Sequence, residues 1–225
     1  MTILPLAYLP SVEYIAHLLR DECVIDLGEH FVKRSERNRT RILATGGPME
    51  LTAHVRNADR PRQPMREVRL DYSKRWPHQH WVSLVSAYRS SPYFDHYAER
   101  FEPLYRAPGD LLAEFNLALL RTLLEAAKAP CDLRLSERYV EARPGDIDLR
   151  PKHREGPAFE AEPYIQVFSD RMPFFPNLPF IDLLFAEGPS TTAARARRRI
   201  LLRGCRVALP VKHPAIRFPA ASSCR

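Results

Sequence analysis

Five cationic side chains lie within nine residues, between Lys33 and Arg41. They follow an apolar run, residues 23–27, that is predicted to be a buried strand. Guanidinium and ammonium groups beside a strand end suit carboxylates, phosphates and diphosphates. The amide of Asn38 would add directional hydrogen bonds. Four residues of this segment are therefore predicted to bind an anionic ligand: Lys33, Arg37, Asn38 and Arg39. A solvated charged turn is the alternative.

The two residues after Gly28 could carry proton transfer. Glu29 and His30 follow the predicted strand and precede Lys33. Histidine titrates near neutral pH, and a His–Glu pair beside cations can act as general acid and base. We predict catalytic roles for Glu29 and His30, with a surface histidine in a turn as the alternative.

Aromatic side chains recur at helical spacing in residues 76–88 and 93–105. This spacing predicts two helices, and packing between them accounts for most of the rings. The hydroxyls of Tyr88 and Tyr93 keep a polar tip that could face a pocket. Four further side chains are predicted to contact the ligand: Tyr88, Tyr93, Gln166 and Asn177.

An α/β pattern must position these residues. Residues 3–8 and 23–27 are predicted strands, joined by a helix over 11–20 with Ser11 as its N-cap. Strand, helix, strand is the opening of an α/β layer. Two strands around a Gly-Gly-Pro turn at 46–48 predict a β-hairpin.

The predicted fold class is α/β, with a small central sheet, an N-terminal β-α-β unit, a β-hairpin and a helical middle segment. Central strands put ligands beyond their carboxyl ends, so the rim is expected from Gly28 onward, where glycine permits a sharp turn. The remaining predicted elements are an edge strand at 68–72, a helix at 110–128, strands at 132–135 and 164–168, a loop over 143–163, and a helix from 177 or 179 to 186.

Charge is unevenly distributed along the 225 residues, whose formal net charge is +7. Nine of the 34 basic residues and none of the 27 acidic ones lie in residues 191–225, which leaves 25 and 27 for residues 1–190. The basic excess therefore belongs to the tail, and without a nucleic-acid motif we predict no nucleic-acid partner.

Other patterns limit location and cofactors. No apolar run is long enough to span a membrane, and the first residues do not resemble a signal peptide. Scattered cysteines indicate a reducing, cytoplasmic location. His78 and His80 have no partner at a metal-ligand spacing, so neither a metal nor another cofactor is predicted.

Four segments, in this order, resemble the WbqC-like proteins, a bacterial family named from O-antigen gene clusters. They are KRSERNR at 33–39, PHQHW at 77–81 leading into SPYF at 91–94, NLPFIDLLF at 177–185 and EGP at 187–189. The likeness runs from about 7 to 189. It implies a single WbqC-like α/β domain over 1–190, followed by a basic and poorly packed tail over 191–225.

The resemblance also implies a function. It indicates a transferase of surface-polysaccharide (O-antigen) biosynthesis that passes an aminoacyl group, such as glycine, to an amino sugar, with a nucleotide sugar or acyl donor as its anionic ligand. Family members often have His-Gln-Pro at the first strand and paired aspartates at the second. In this sequence Leu4-Pro5-Leu6-Ala7 precedes Tyr8-Leu9-Pro10, so the His and Gln are absent, and Leu27-Gly28 occupies the place of the paired aspartates. A non-catalytic ligand-binding or accessory protein of the same pathway is therefore the alternative.

Asp182 lies within the apolar segment of the last motif. Such a carboxylate is either on the exposed face of an amphipathic helix or paired with a buried arginine. Its place in the family motif favours a structural ion pair, with Arg37 or Arg39 as the partner.

Overall fold

The computed structural model describes residues 1–129, 131–152, 159 and 162–188. It opens with strand β1 (Thr2–Pro5), helix α1 (Val12–Arg20) and strand β2 (Cys23–Asp26), and the two strands run parallel. Ser11 caps α1, because its hydroxyl accepts a hydrogen bond from the Tyr14 amide at 3.3 Å. The predicted β-α-β unit is thus confirmed, with a shorter first strand.

A hairpin begins within residues 33–41, which we call the Arg-rich segment. Strands β3 (Arg39–Ala44) and β4 (Gly47–Thr52) pair antiparallel and form a sheet of their own. Gly47 has a φ of +109°, which glycine adopts without strain. The predicted hairpin is confirmed, but the edge strand at 68–72 is wrong: only isolated bridges occur there, after a 3-10 turn at Met65–Glu67.

The helical middle consists of α2 (Trp76–Tyr88), α3 (Phe94–Arg106) and α4 (Leu112–Ala126). Buried aromatic rings of α2 and α3 meet helix α5 (Phe180–Glu187), where Phe185 packs against Tyr88, Phe94 and Phe101. The predicted helix–helix packing is confirmed.

Two short strands complete the central sheet. Strands β5 (Leu135–Ser136) and β6 (Ile147–Asp148) give the parallel order β5-β2-β1-β6, with β1 and β2 inside. The segment 143–163 was expected to be only a loop, yet it contains β6, because a two-residue strand leaves no periodic signal. The strand predicted at 164–168 is wrong, because none of these residues is in a strand. The α/β class with a central sheet is confirmed.

The inner strand β1 is buried on both faces of the sheet, whereas the outer strands β5 and β6 are partly exposed. All four residues of β1 are buried, as expected for an inner parallel strand. Among the described residues, no helix is long and apolar enough to cross a membrane. The tail over 191–225 lies outside the described residues, so the division into a domain and a tail stays a prediction.

Candidate anion-binding site

A cavity of about 340 Å³ opens at the carboxyl ends of β1 and β6. Residues 7–11, which follow β1, and residues 149–152, which follow β6, form two of its walls. The chain leaves β1 toward β2 on one side, whereas β6 lies on the other side. This gap is where strand order changes direction, and open α/β sheets bind ligands there. We call it the carboxyl-edge cavity.

Positive charge dominates its lining. Two carboxylates, Glu36 and Glu50, face a larger set of cations among the described residues. The cations are Arg34, Arg37, Arg39, Arg41, Arg150 and Lys152. A concave surface with such an excess concentrates anions.

Arg37, however, is occupied by protein groups. It is buried, and its Nε donates to Glu29 Oε1 at 2.9 Å while Nη2 donates to Glu29 Oε2. The same Nη2 reaches the Arg150 carbonyl at 3.1 Å, and Nη1 donates to Ser35 Oγ at 3.2 Å. This paired fork joins the Arg-rich segment to the strand edge.

Arg150 is engaged in the same way. Its guanidinium donates to Asp148 at 2.9 and 2.7 Å, to Asp26 at 2.5 Å and to the Val140 carbonyl at 2.7 Å. It also lies over the Tyr139 ring, 4.6 Å from the centroid. The two arginines and their three carboxylates form what we call the buried ionic cluster: Asp26, Glu29, Arg37, Asp148 and Arg150.

Asp26 anchors the loop that crosses the strand end. Its carboxylate accepts hydrogen bonds from the amides of Gly28, Glu29 and Val140 at 2.9, 3.0 and 3.1 Å. A Cβ on Gly28 would lie 2.3 Å from the backbone of Arg138. Glycine is therefore required at position 28 because the crossing loop approaches so closely, and not because of the expected sharp turn.

The exposed cations differ from this cluster. Arg41 and Lys152 line the cavity, and their side chains have no hydrogen-bond or ion-pair partner among the described residues. Arg39 pairs with Glu50 at 2.7 Å, although its buried Nε has no partner among the described residues. Arg34, Arg41 and Lys152 are thus the cations of the lining whose side chains have no hydrogen-bond or ion-pair partner among the described residues.

The residues predicted to be catalytic do not line the cavity. Glu29 is buried against Arg37; burial raises its pKa to about 7, and the hydrogen bonds from Arg37 oppose that rise. His30 is exposed and forms a backbone bridge with Pro64. Lys33 also lies outside the lining, in an exposed ion pair with Asp59.

The predicted amide ligands hold loops instead. Asn38 donates to the Ala53 carbonyl at 3.1 Å. Gln166 makes two hydrogen bonds to the Phe175 backbone, at 2.8 and 3.0 Å. Asn177 lines the cavity, but both of its amide atoms are used by Glu13. Its oxygen accepts a hydrogen bond from the Glu13 backbone amide and its nitrogen donates to the Glu13 carboxylate, both at 3.0 Å.

Asp182 and Tyr88 lie together in a different part of the core. Asp182 accepts a hydrogen bond from the Tyr164 hydroxyl, so a tyrosine replaces the expected arginine partner. Of the two predicted partners, Arg37 pairs with Glu29 and Arg39 pairs with Glu50, so neither reaches Asp182. Burial raises the pKa of Asp182 to about 6.

The two tyrosines predicted to contact the ligand, Tyr88 and Tyr93, do not line the carboxyl-edge cavity. The Tyr88 hydroxyl accepts from the Leu43 amide at 3.2 Å and is fully buried. Tyr93 packs its ring against Gly188, where an added Cβ would lie 2.8 Å from the ring.

The described residues contain no group of three or more histidine, cysteine or acidic side chains placed to hold a metal. His80 is buried, its Nδ1 lies 2.8 Å from the Tyr8 hydroxyl, and burial lowers its pKa to about 4. His78 is exposed.

Sequence reasoning missed the residues that organise the cavity. Asp26 was counted within an apolar strand, although a lone carboxylate there indicates a buried cationic partner. Arg150 and Lys152 follow a strand that had no sequence signal. Glu36 is exposed at the cavity, but the residues predicted from this segment were only its cationic neighbours and Asn38.

Residues 7–150 match the WbqC-like protein family. The chain is also similar to the uncharacterized protein Rv1507c of Mycobacterium tuberculosis, with 33% identity over 107 residues. That alignment covers 47% of this chain and 44% of the relative, so the chain spans less than half of the relative's length. No solved structure matches. Because the family match covers more than half of the chain, this protein belongs to the WbqC-like family.

Proposed function

We propose that the carboxyl-edge cavity binds an anionic small molecule of the nucleotide-sugar or acyl-donor class. One observation carries this proposal. Arg41 and Lys152 line the cavity without a charge partner among the described residues, whereas Arg37 and Arg150 are buried and paired with carboxylates. Phosphate oxygens would complete the hydrogen bonding that the protein leaves open at the rim.

The family name and its association with O-antigen gene clusters support a role in surface-polysaccharide biosynthesis. The proposed reaction is transfer of an aminoacyl group, such as glycine, to the amine of an amino sugar. The amine would attack the acyl carbonyl and form an amide, the leaving group would depart with the bonding electron pair, and a base would accept the amine proton.

The availability of a general base distinguishes the catalytic version of this function from the non-catalytic one. Glu29 and His30 were the predicted pair, but neither lines the cavity. Glu36 does line it and is exposed, so it is the better-placed general base. The second candidate function, non-catalytic ligand binding, is favoured by the seclusion of Glu29 behind Arg37.

A thermal-shift screen with nucleotide sugars and aminoacyl donors tests the binding proposal. A ligand at 100 times its dissociation constant should add ~2.7 kcal/mol to the free energy of unfolding. The shift should be lost in Arg41→Gln/Lys152→Gln and kept in Arg121→Gln, an exposed arginine on α4 outside this cavity. A panel without any shift, or equal shifts in both variants, would reject the proposed site.

Turnover of the stabilising ligand then separates enzyme from binder. In the transferase version, Glu36→Gln should retain binding and lose product formation. Product formation that survives this change would remove Glu36 as the base. Stable binding with no product from any amino-sugar acceptor would establish the non-catalytic version.

A further inference from the structure

A second cavity, of about 610 Å³, lies on the helical side of the molecule. It lies at the start of α2 and the end of α3, and it contains none of the residues of the carboxyl-edge cavity. Its lining mixes aromatic rings and cations: Tyr72, Trp81, Tyr105, Lys74, Arg75 and Arg106. We call it the helical-face cavity.

The aromatic rings are held in place by neighbouring rings and by backbone. Tyr72 stacks on Trp76 with an angle of 7° between the rings, and its hydroxyl donates to the Gly109 carbonyl. Trp81 stacks on Tyr105 with ring centroids 5.9 Å apart. Tyr72 remains 40% exposed and Trp81 is half-buried, so both rings can still meet a ligand. Fixed aromatic surfaces bind planar rings at low entropic cost.

The charges of the cavity favour a negative group. Arg106 pairs with the lone carboxylate of the lining, Glu102, at 2.6 Å. Lys74 and Arg75 are exposed, and their side chains have no partner within the described part of the chain. The cavity thus keeps two uncompensated cations beside its aromatic walls.

We propose that the helical-face cavity binds a planar aromatic ring joined to a phosphate. The ring would lie against Tyr72 and Trp81, and the phosphate would accept hydrogen bonds from Lys74 and Arg75. Arginine also matches the oxygens of phosphate with its planar fork. This site is independent of the ligand proposed for the carboxyl-edge cavity.

Four probes distinguish the contribution of the aromatic ring to binding from that of the phosphate charge. AMP and phenyl phosphate carry both features, adenosine carries only the ring, and ribose 5-phosphate carries only the phosphate. Binding is measured by calorimetry and by quenching of tryptophan fluorescence on the intact protein. AMP or phenyl phosphate should bind at least about tenfold more tightly than either half-probe, as expected when a charge-assisted hydrogen bond adds to stacking. Tight binding of AMP but not of phenyl phosphate would indicate a nucleotide site, whereas tight binding of both compounds would indicate a broader aryl-phosphate site.

Matched variants locate the binding. Lys74→Gln/Arg75→Gln changes only exposed side chains and should weaken AMP or phenyl phosphate by at least about tenfold. Trp81→Leu should abolish quenching, with circular dichroism as the check on folding. Arg89→Gln, an exposed change at the other end of α2, should have no effect. Binding equal for ribose 5-phosphate, binding unchanged in Lys74→Gln/Arg75→Gln, loss instead in Arg41→Gln/Lys152→Gln, or no binding of any probe would each overturn the proposal.

Discussion

The buried ionic cluster and the exposed rim of the carboxyl-edge cavity use the same kind of side chain in opposite ways. The side chains of Arg37 and Arg150 are only 3% and 5% exposed, and carboxylates at the strand ends neutralise both. Arg41 and Lys152 line the same cavity, but they are exposed and have no charge partner in the part of the chain that the structure describes. Burial rather than residue type therefore separates the cations that hold the fold from those that remain for a ligand.

The largest expected effect comes from removing Arg150. Arg150→Ala leaves Asp26 and Asp148 without their shared cation, and Asp26 is fully buried. Breaking a buried pair by removing one partner should cost ~3–5 kcal/mol in the free energy of unfolding. Urea denaturation measures the loss.

Lys152→Ala is the matched control, because it removes an exposed cation two residues away. Its effect should stay within about 0.5 kcal/mol. If the two variants were equally stable, the buried ionic cluster would not hold the strand ends together.

Arg37→Ala should cost somewhat less, about 3 kcal/mol, because Glu29 can take up a proton. The pKa of Glu29 is already raised to about 7 by burial, against the opposing hydrogen bonds from Arg37. Below that pH a protonated Glu29 needs no cation, so the cost should be larger above pH 7 than below it. Urea denaturation on both sides of this pH measures the difference; a cost independent of pH would contradict the pairing.

Asp182 should make stability depend on pH in a defined direction. Burial raises its pKa from the ordinary 3.8 to about 6, so folding favours the protonated form. Its contribution is fully present below about pH 4 and is lost as the pH rises through 6. Between these limits the loss should be on the order of 2–3 kcal/mol. Glu29 adds a loss of the same sign up to about pH 7.

Asp182→Asn isolates the part that belongs to Asp182. Thermal unfolding of both proteins across this pH range should show a shallower decline in the variant, which keeps Glu29. Parallel curves would show that Asp182 does not titrate in this range.

The smallest stability effect is expected at the cavity rim. Arg41→Gln/Lys152→Gln removes two exposed charges that have no partner among the described residues, so the free energy of unfolding should change by less than about 0.5 kcal/mol. Urea denaturation without ligand checks this. A large loss would assign these cations to the fold and remove the contrast with Arg150.

Periodic segments of the fold could be predicted from the sequence. The bounds of α2 agree with its aromatic spacing, and the hairpin follows from its glycine turn. Strand β5 overlaps the predicted strand at 132–135 only at Leu135, and β6 has two residues, too few for alternation to show. These two strands form because they pair with β1 and β2, and such pairing between distant segments is a tertiary contact that a local pattern does not show.

The site was only partly predictable for a related reason. Five cations in nine residues predict an anionic ligand, which stays a prediction, but the sequence does not show which of these cations are buried and paired within the protein. The partner of Asp26 lies 124 residues away at Arg150, and no local pattern encodes that distance. Likewise, Gln166 and Asn177 looked like ligand amides, yet each is bonded to nearby protein groups.

Calorimetric titration of the wild-type protein with a nucleotide sugar tests the central claim most directly, with Arg41→Gln/Lys152→Gln and Arg121→Gln measured alongside. The account predicts binding that weakens with added salt, as expected for exposed cations. It also predicts binding at least about tenfold weaker in the double variant and unchanged in Arg121→Gln. Equal affinity in all three proteins would contradict the claim that the exposed cations of this cavity bind the ligand.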